Sequence, residues 1–144
     1  MIYLDTSAAM KLVRPEAHSN DLSRWLTERP RSPLLSSVLI EVELMRATRR
    51  SAPERMDRAA EILGGIGVVT LSPAVISRAS AYTDPELRSL DAIHLATAQH
   101  VVSRTPEVLE AFVAYDERLL SVARAAGLPV AAPGVGGVPP EYLR

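Results

Sequence analysis

The sequence predicts an α/β layer fold built on a mainly parallel sheet. Short apolar runs rich in strand-forming residues, such as MIYL at 1–4 and FVAY at 112–115, recur between longer stretches with helical spacing. Gly, Pro and hydroxyl residues mark the changes from one to the other. Strands that alternate with helices along a whole chain pack as a parallel sheet with helices against it.

Each element has its own reason. The first strand covers 1–4, and Asp5 or Ser7 can cap a helix over 8–14 that Pro15 stops. A second helix fits 17–28, with Leu22, Trp25 and Leu26 on one face. A strand at 34–37 is entered through Pro33, and helices follow over 38–50 and 53–63, the latter ended by Gly64 and Gly65. A strand is expected at 68–71, after which Ser72 caps and Pro73 opens a helix to about 82. The alanine-rich run LRSLDAIHLATAQHVV is helical, with Asp84 or Ser89 as its cap. A strand at 111–115, a helix at 117–126 closed by Gly127, and a short strand at 128–131 complete the order. The Gly- and Pro-containing tail from 132 is expected to be extended and partly mobile. With no repeat or internal linker, 1–133 read as a single domain and 134–144 as a C-terminal tail.

Composition excludes several classes. The 144 residues are 47% apolar and 23% charged, ordinary values for one globular domain and too apolar for disorder. No apolar run is long enough to span a bilayer. Asp5 falls where a signal peptide would be apolar and no basic segment precedes it, so a cytoplasmic protein is expected. The absence of cysteine fits that compartment and excludes thiolate metal sites. A net charge of −1 excludes bulk polycation binding to nucleic acid, so any contact with phosphate must be local.

The acids carry the chemistry. Asp5 ends the first strand, Asp116 ends FVAYD before a helix, and Asp91 sits among Leu90, Ala92, Ile93, Leu95 and Ala96. Asp5 and Asp116 can be helix caps and nothing more; Asp91 has a weaker excuse as a first-turn acid favoured by the helix dipole. A carboxylate against that much apolar surface needs a partner, because a desolvated charge is costly. Glu41 and Glu43 lie on opposite faces of their helix, both flanked by apolar residues, and periodicity does not choose between them. Glu43 can equally pair with Arg46 one turn on. Acids gathered at one sheet edge repel, by about 4 kcal/mol for two charges ~4 Å apart at an effective dielectric of 20, and such clusters persist mainly by binding a cation. Oxygen ligands alone favour Mg²⁺ or Mn²⁺, with Ca²⁺ as an alternative. Zinc is disfavoured because His18, His94 and His100 lack ligand spacing. His94, one turn from Asp91, reads as a helix-surface or supporting residue rather than a ligand. Arg46, Arg49, Arg50, Arg55 and Arg58 form the one dense basic run, either a phosphate-binding patch or a solvated helix face.

Taken in order and spacing, MIYLDTSAAMKL, IEVELMRA, LRSLDAIHLATA and FVAYDERLLSVARAAGL resemble a PIN-domain ribonuclease of the VapC toxin family. The resemblance runs to about residue 133 and implies a PIN-like three-layer fold with a mainly parallel central sheet flanked by helices. It implies that Asp5, Glu43, Asp91 and Asp116 bind Mg²⁺ or Mn²⁺, which selects Glu43 over Glu41. Thr6 and Ser7 would orient Asp5 or contact substrate, and Arg46, from the basic run, is a candidate for contacting substrate or supporting the site. The implied reaction is hydrolysis of phosphodiester bonds in structured RNA, such as tRNA or rRNA, leaving 5′-phosphate and 3′-hydroxyl ends. Partners implied are a small VapB-like antitoxin and a second copy of the chain. The family often carries Thr or Ser two residues before the last Asp, where this chain has Ala114. A catalytically silent PIN domain that only binds antitoxin or RNA is the alternative, and it has no need of four such carboxylates. A phosphotransfer enzyme of doubly wound fold fits poorly: Ser7 stands where an acid is wanted, and Lys11 is the only lysine.

Overall fold

The computed structural model describes residues 1–105 and 108–136. In chain order the elements are β1 (Ile2–Leu4), α1 (Thr6–Val13), α2 (Ser19–Thr27), β2 (Leu34–Ser37), α3 (Leu39–Ser51) and, after a 3₁₀ turn at Pro53–Arg55, α4 (Met56–Gly64). Then come β3 (Ile66–Val69), α5 (Pro73–Ala81), α6 (Ser89–Arg104), β4 (Ala111–Val113), α7 (Glu117–Ala125) and β5 (Val130–Ala131). The five strands form one sheet in the order β3-β2-β1-β4-β5, and every pairing is parallel. Parallel neighbours require crossovers, and the helices supply them.

Alternation along β1 builds the three layers. Ile2 and Leu4 point to one face, where they pack with Ala8, Ala9 and Val13 of α1, Leu22 and Trp25 of α2, and Ile40 and Leu44 of α3. Tyr3 and Met1 point to the other, with Leu95 of α6, Phe112 of β4, and Leu119 and Ala123 of α7. Both faces of the central strands are therefore dry, which is why they read as unbroken apolar runs.

The strand order also fixes where a crevice opens. From β1 the chain moves outward to β2 and β3, then returns to the other side of β1 as β4. Chain direction thus diverges between β1 and β4, and open α/β sheets form their ligand crevice beyond the carboxyl ends of the strands at such a point. Asp5 follows the last residue of β1 directly, and Asp116 lies three residues past β4.

Local chemistry shifts several expected boundaries. Asp5 is the N-cap of α1, accepting the Ser7 N–H on Oδ2 at 3.3 Å, so the helix begins at Thr6 rather than residue 8. Strand β3 begins two residues earlier than expected, at Ile66, directly after Gly65. Ser72 caps α5 as its position suggests, accepting the Val75 N–H at 3.3 Å. Neither Asp84 nor Ser89 caps α6. Arg88 occupies the cap position without a side-chain bond, Ser89 is already helical, and Asp84 spends Oδ1 on the Glu86 N–H in the preceding turn. Of the expected tail, Gly134–Gly136 continue a turn begun at Pro133, which is buried and accepts the Tyr115 O–H at 2.9 Å. Residues 137–144 lie outside the described residues. Among the described residues no helix is long and apolar enough to cross a membrane.

Candidate metal centre

Asp5 is 5% exposed, at the floor of the crevice between β1 and β4. Its Oδ2 takes both the N–H and the hydroxyl of Ser7, the latter at 2.7 Å. Ser7 Oγ in turn accepts the Tyr115 N–H at 3.0 Å, so one hydroxyl ties the end of β1 to the segment leading to Asp116. Asp116 caps α7 with Oδ1, which accepts from the N–H groups of Arg118 and Leu119 at 2.9 and 3.1 Å. These two bonds orient Asp116 from its own helix. The side chain of Ala114 is fully buried and plays no part in that.

Of the two acids that periodicity left open, Glu41 is exposed and Glu43 is turned inward from α3. Glu43 Oε1 accepts the Thr6 hydroxyl at 3.1 Å and lies 2.7 Å from His94 Nε2. It therefore makes no pair with Arg46, which is exposed and free of hydrogen bonds and ion pairs among the described residues. Thr6 serves Glu43 and not Asp5, while Ser7 serves Asp5. The two adjacent hydroxyls point to different acids because consecutive helical residues lie about 100° apart.

His94 is the residue the sequence undervalued. It is wholly buried, with Nε2 3.6 Å from Asp5 Oδ1 as well as against Glu43, and Nδ1 2.8 Å from the Tyr3 hydroxyl. The spacing to Asp91 hints at it; Tyr3, two residues before Asp5 on the same side of the strand, reads from sequence only as a core aromatic. Burial opposes a charge on His94, yet the Glu43 hydrogen bond and the charges of Asp5, Glu43 and Asp91 lift its pKa above the ordinary imidazole value.

Asp91 projects from the first turn of α6 and is half-buried. Burial raises its carboxyl pKa, and the negative charges of Asp5 and Asp116 raise it further, against the opposing pull of His94 and Arg88. Asp5, Asp91 and Asp116 are thus coupled in one electrostatic neighbourhood, and Glu43 joins it through His94. Asp91 makes no hydrogen bond or ion pair among the described residues, and Asp116 Oδ2 and Glu43 Oε2 are likewise without protein donors. The donors on offer are hard oxygens, the set that suits Mg²⁺ or Mn²⁺. As the side chains stand, no three His, Asp or Glu among the described residues lie close enough to hold one ion. The basic run divides. Arg55 and Arg58 are spent on the carbonyls of Val13 and Leu12 at the end of α1, at 3.4 and 3.2 Å, a favourable place for cations. Arg46, Arg49 and Arg50 remain exposed on α3.

Comparison with known proteins matches residues 2–125 to the PIN domain. Ribonuclease VapC35 of Mycobacterium tuberculosis is 46% identical over 134 residues, spanning 93% of this chain and 98% of that protein. Ribonuclease VapC47 of the same organism is 42% identical over 137 residues, with the same coverage. Among solved structures, that of M. tuberculosis VapC20, a sarcin-ricin loop cleaving toxin, superposes with a TM-score of 0.70 at 19% identity, covering 92% of this chain and all of that one. A toxin–antitoxin complex from Klebsiella pneumoniae gives 0.68 at 21% identity, covering 92% and 98%. A three-layer α/β fold on an all-parallel sheet, with Asp5 and Asp116 just past the carboxyl ends of β1 and β4, defines the class, and the residue-level matches then narrow it. The chain belongs to the PIN-domain family and, within it, to the VapC ribonucleases.

Proposed function

We propose that this protein is an endoribonuclease toxin of a VapBC-type pair, hydrolysing phosphodiester bonds in structured RNA at a Mg²⁺ or Mn²⁺ site formed by Asp5, Glu43, Asp91 and Asp116. The observation that carries the reading is the placement of Asp5 and Asp116 just past the carboxyl ends of β1 and β4, with Asp91 at the start of α6 near enough for their charges to raise its carboxyl pKa. Mutual repulsion of that kind is a standing cost in a fold, and a cation relieves it. A cation held by these residues would supply charge neutralisation at the scissile phosphodiester and activation of a water. Asp5, the most buried of the four, is the central ligand, held by Ser7. Asp91 and Asp116 complete one side of the site and Glu43 the other. Arg46, one turn beyond Glu43 and without a hydrogen bond or ion pair among the described residues, would receive a backbone phosphate. Among the relatives, the named ribonucleases and the sarcin-ricin loop cleaving toxin support an RNA target.

The toxin–antitoxin neighbour supports a small VapB-like antitoxin as partner. The chain offers a surface to a protein: a groove of about 330 Å³ between α5 and α6, lined by Ile76, Leu87 and Ile93, opens beside the turn that bears Asp91. Ile76, one of the lining residues, stays half-exposed. A homodimer acting in the cytoplasm completes the reading.

Purified protein, freed of partners, should cut structured RNA such as tRNA or rRNA with Mg²⁺ or Mn²⁺ and stop in EDTA. Asp5→Asn and Asp116→Asn should each abolish cutting, whereas Glu41→Gln, on the exposed side of α3, should leave it intact. Full cleavage in EDTA would overturn the reading.

A further inference from the structure

Five elements meet at one largely buried line of hydrogen bonds. The Tyr3 hydroxyl, from β1, accepts the Ser37 N–H at 2.9 Å at the end of β2. Its own proton is then available to His94 Nδ1, 2.8 Å away on α6. Neutral with Nδ1 accepting, or protonated on both nitrogens, the imidazole carries an N–H on Nε2, which faces Glu43 Oε1 of α3 at 2.7 Å. The Thr6 hydroxyl reaches the same Oε1 at 3.1 Å. Glu43 therefore has one oxygen taken by two donors and the other, Oε2, without a protein donor among the described residues. Tyr3 cannot drift, being stacked on Phe112 at 5.1 Å between centroids and meeting the His94 ring edge-on at 5.9 Å.

We propose that His94, oriented by Tyr3, is a positioning residue that clamps Glu43 Oε1 and so presents Oε2 alone to the cation. This rests on the metal-site reading above but goes beyond it, because it assigns a role to two residues outside the acid set. A core histidine that merely satisfies its hydrogen bonds needs neither a second donor on the same carboxylate oxygen nor a line of bonds ending on a candidate ligand. Glu43 comes from α3, which is tied to neither β1 nor β4 by a cap, so without the clamp its long side chain is free to choose rotamers. Asp5 and Asp116 have helix N–H groups to hold them; Glu43 has His94 and Thr6. Partners behind a metal ligand act in this way, and losing one typically weakens metal affinity about 10–100-fold.

The test is Mn²⁺ affinity, read by electron paramagnetic resonance of free Mn²⁺, on full-length wild type and the variants Tyr3→Phe, His94→Gln and His94→Asn. Melting curves in EDTA accompany each protein and identify those that fold. The Gln amide can reach the place of Nε2 and still donate to Glu43, whereas the shorter Asn keeps only the Tyr3 side of the line. His94→Asn and Tyr3→Phe should weaken Mn²⁺ binding about tenfold or more, and His94→Gln should restore most of the affinity that Asn loses. A purely structural histidine would give Gln and Asn the same affinity. Folded variants that all bind Mn²⁺ as the wild type does overturn the inference and leave the metal site standing. A wild type that binds no Mn²⁺ overturns both.

Discussion

Asp91→Asn separates a repelled carboxylate from a structural one, because the two effects of the substitution have opposite signs. In the ion-free protein the Asp91 carboxyl titrates higher than usual, owing to burial and then to the charges of Asp5 and Asp116. A carboxyl whose folded pKa is raised holds its proton more tightly folded than unfolded. Its favourable contribution is full below the unfolded pKa and is lost as pH rises through the folded one, so at neutral pH the ionised group is a net cost. Coulomb's law gives about 1 kcal/mol for charges roughly 8 Å apart at an effective dielectric of ~40. Solvent on the open side of Asp91 reduces this, as does the α6 dipole, which favours an acid in the first turn by about 0.3–1 kcal/mol. A net gain of about 0.5 kcal/mol is left for the asparagine. For 144 residues the unfolding entropy is about 0.3 kcal/mol/K, so the variant should melt roughly 2 °C higher in EDTA at pH 7. That advantage should shrink as pH falls through the raised pKa and towards the ordinary Asp range. Mn²⁺ reverses the order. At an ion concentration 100 times the dissociation constant, mass action stabilises the wild type by about 2.7 kcal/mol, near 9 °C. A tenfold weaker site in the variant would gain only about 1.4 kcal/mol, near 5 °C. Differential scanning calorimetry of both proteins, in EDTA and in Mn²⁺ at pH 7 and pH 4.5, reads all of this. If Asp91→Asn melts lower in EDTA and gains as much from Mn²⁺ as the wild type, Asp91 is structural and the site as drawn is wrong.

Other expectations are simpler to check. Ser7→Ala removes the hydroxyl that Asp5 Oδ2 accepts and the acceptor of the Tyr115 N–H; it should cost about 1–3 kcal/mol in urea unfolding and slow RNA cleavage as well. A variant as stable as the wild type would mean that water replaces the hydroxyl on both sides. Arg46→Ala should leave melting unchanged and weaken RNA binding, with the slope of log affinity against log salt falling by nearly one; an unchanged slope excludes a phosphate contact. Asp116→Ala should lose the α7 cap, about 1 kcal/mol, whereas Asp116→Asn should keep it while abolishing cleavage. Equal melting of the two in EDTA would show that the cap contributes nothing.

The order of strands and helices is legible because each signal is local: apolar runs of strand length, a Ser-Pro helix start at Ser72 and Pro73, and Ala-rich helical spacing after Ser89. What escapes is set by tertiary contact. The start of α6 reads as capped by Asp84 or Ser89 because both have the right chemistry, yet Asp84 is consumed by the turn before it. The basic run reads as a single patch, although Arg55 and Arg58 are committed to the carbonyl end of α1, 42 and 46 positions away in sequence. His94 and Tyr3 lie 91 positions apart, and neither residue type advertises the other.

The ambiguity of Asp5 and Asp116 has a deeper cause: cap and ligand are compatible jobs for one carboxylate. Where a parallel strand ends and a helix begins, the chain exposes unpaired helix N–H groups at the same sheet edge where the crevice opens. A carboxylate there can give one oxygen to the helix and aim the other into the crevice. Asp5 gives Oδ2 to Ser7 and keeps Oδ1; Asp116 gives Oδ1 to Arg118 and Leu119 and keeps Oδ2. The cap bond then does for an acid what a supporting residue does for a metal ligand: it fixes the carboxylate's direction. Glu43, in mid-helix, has no cap to give, and the fold supplies His94 and Thr6 instead. Two acids anchored by helix ends and one by buried side chains solve the same problem: holding like charges together in an orientation they would not choose alone.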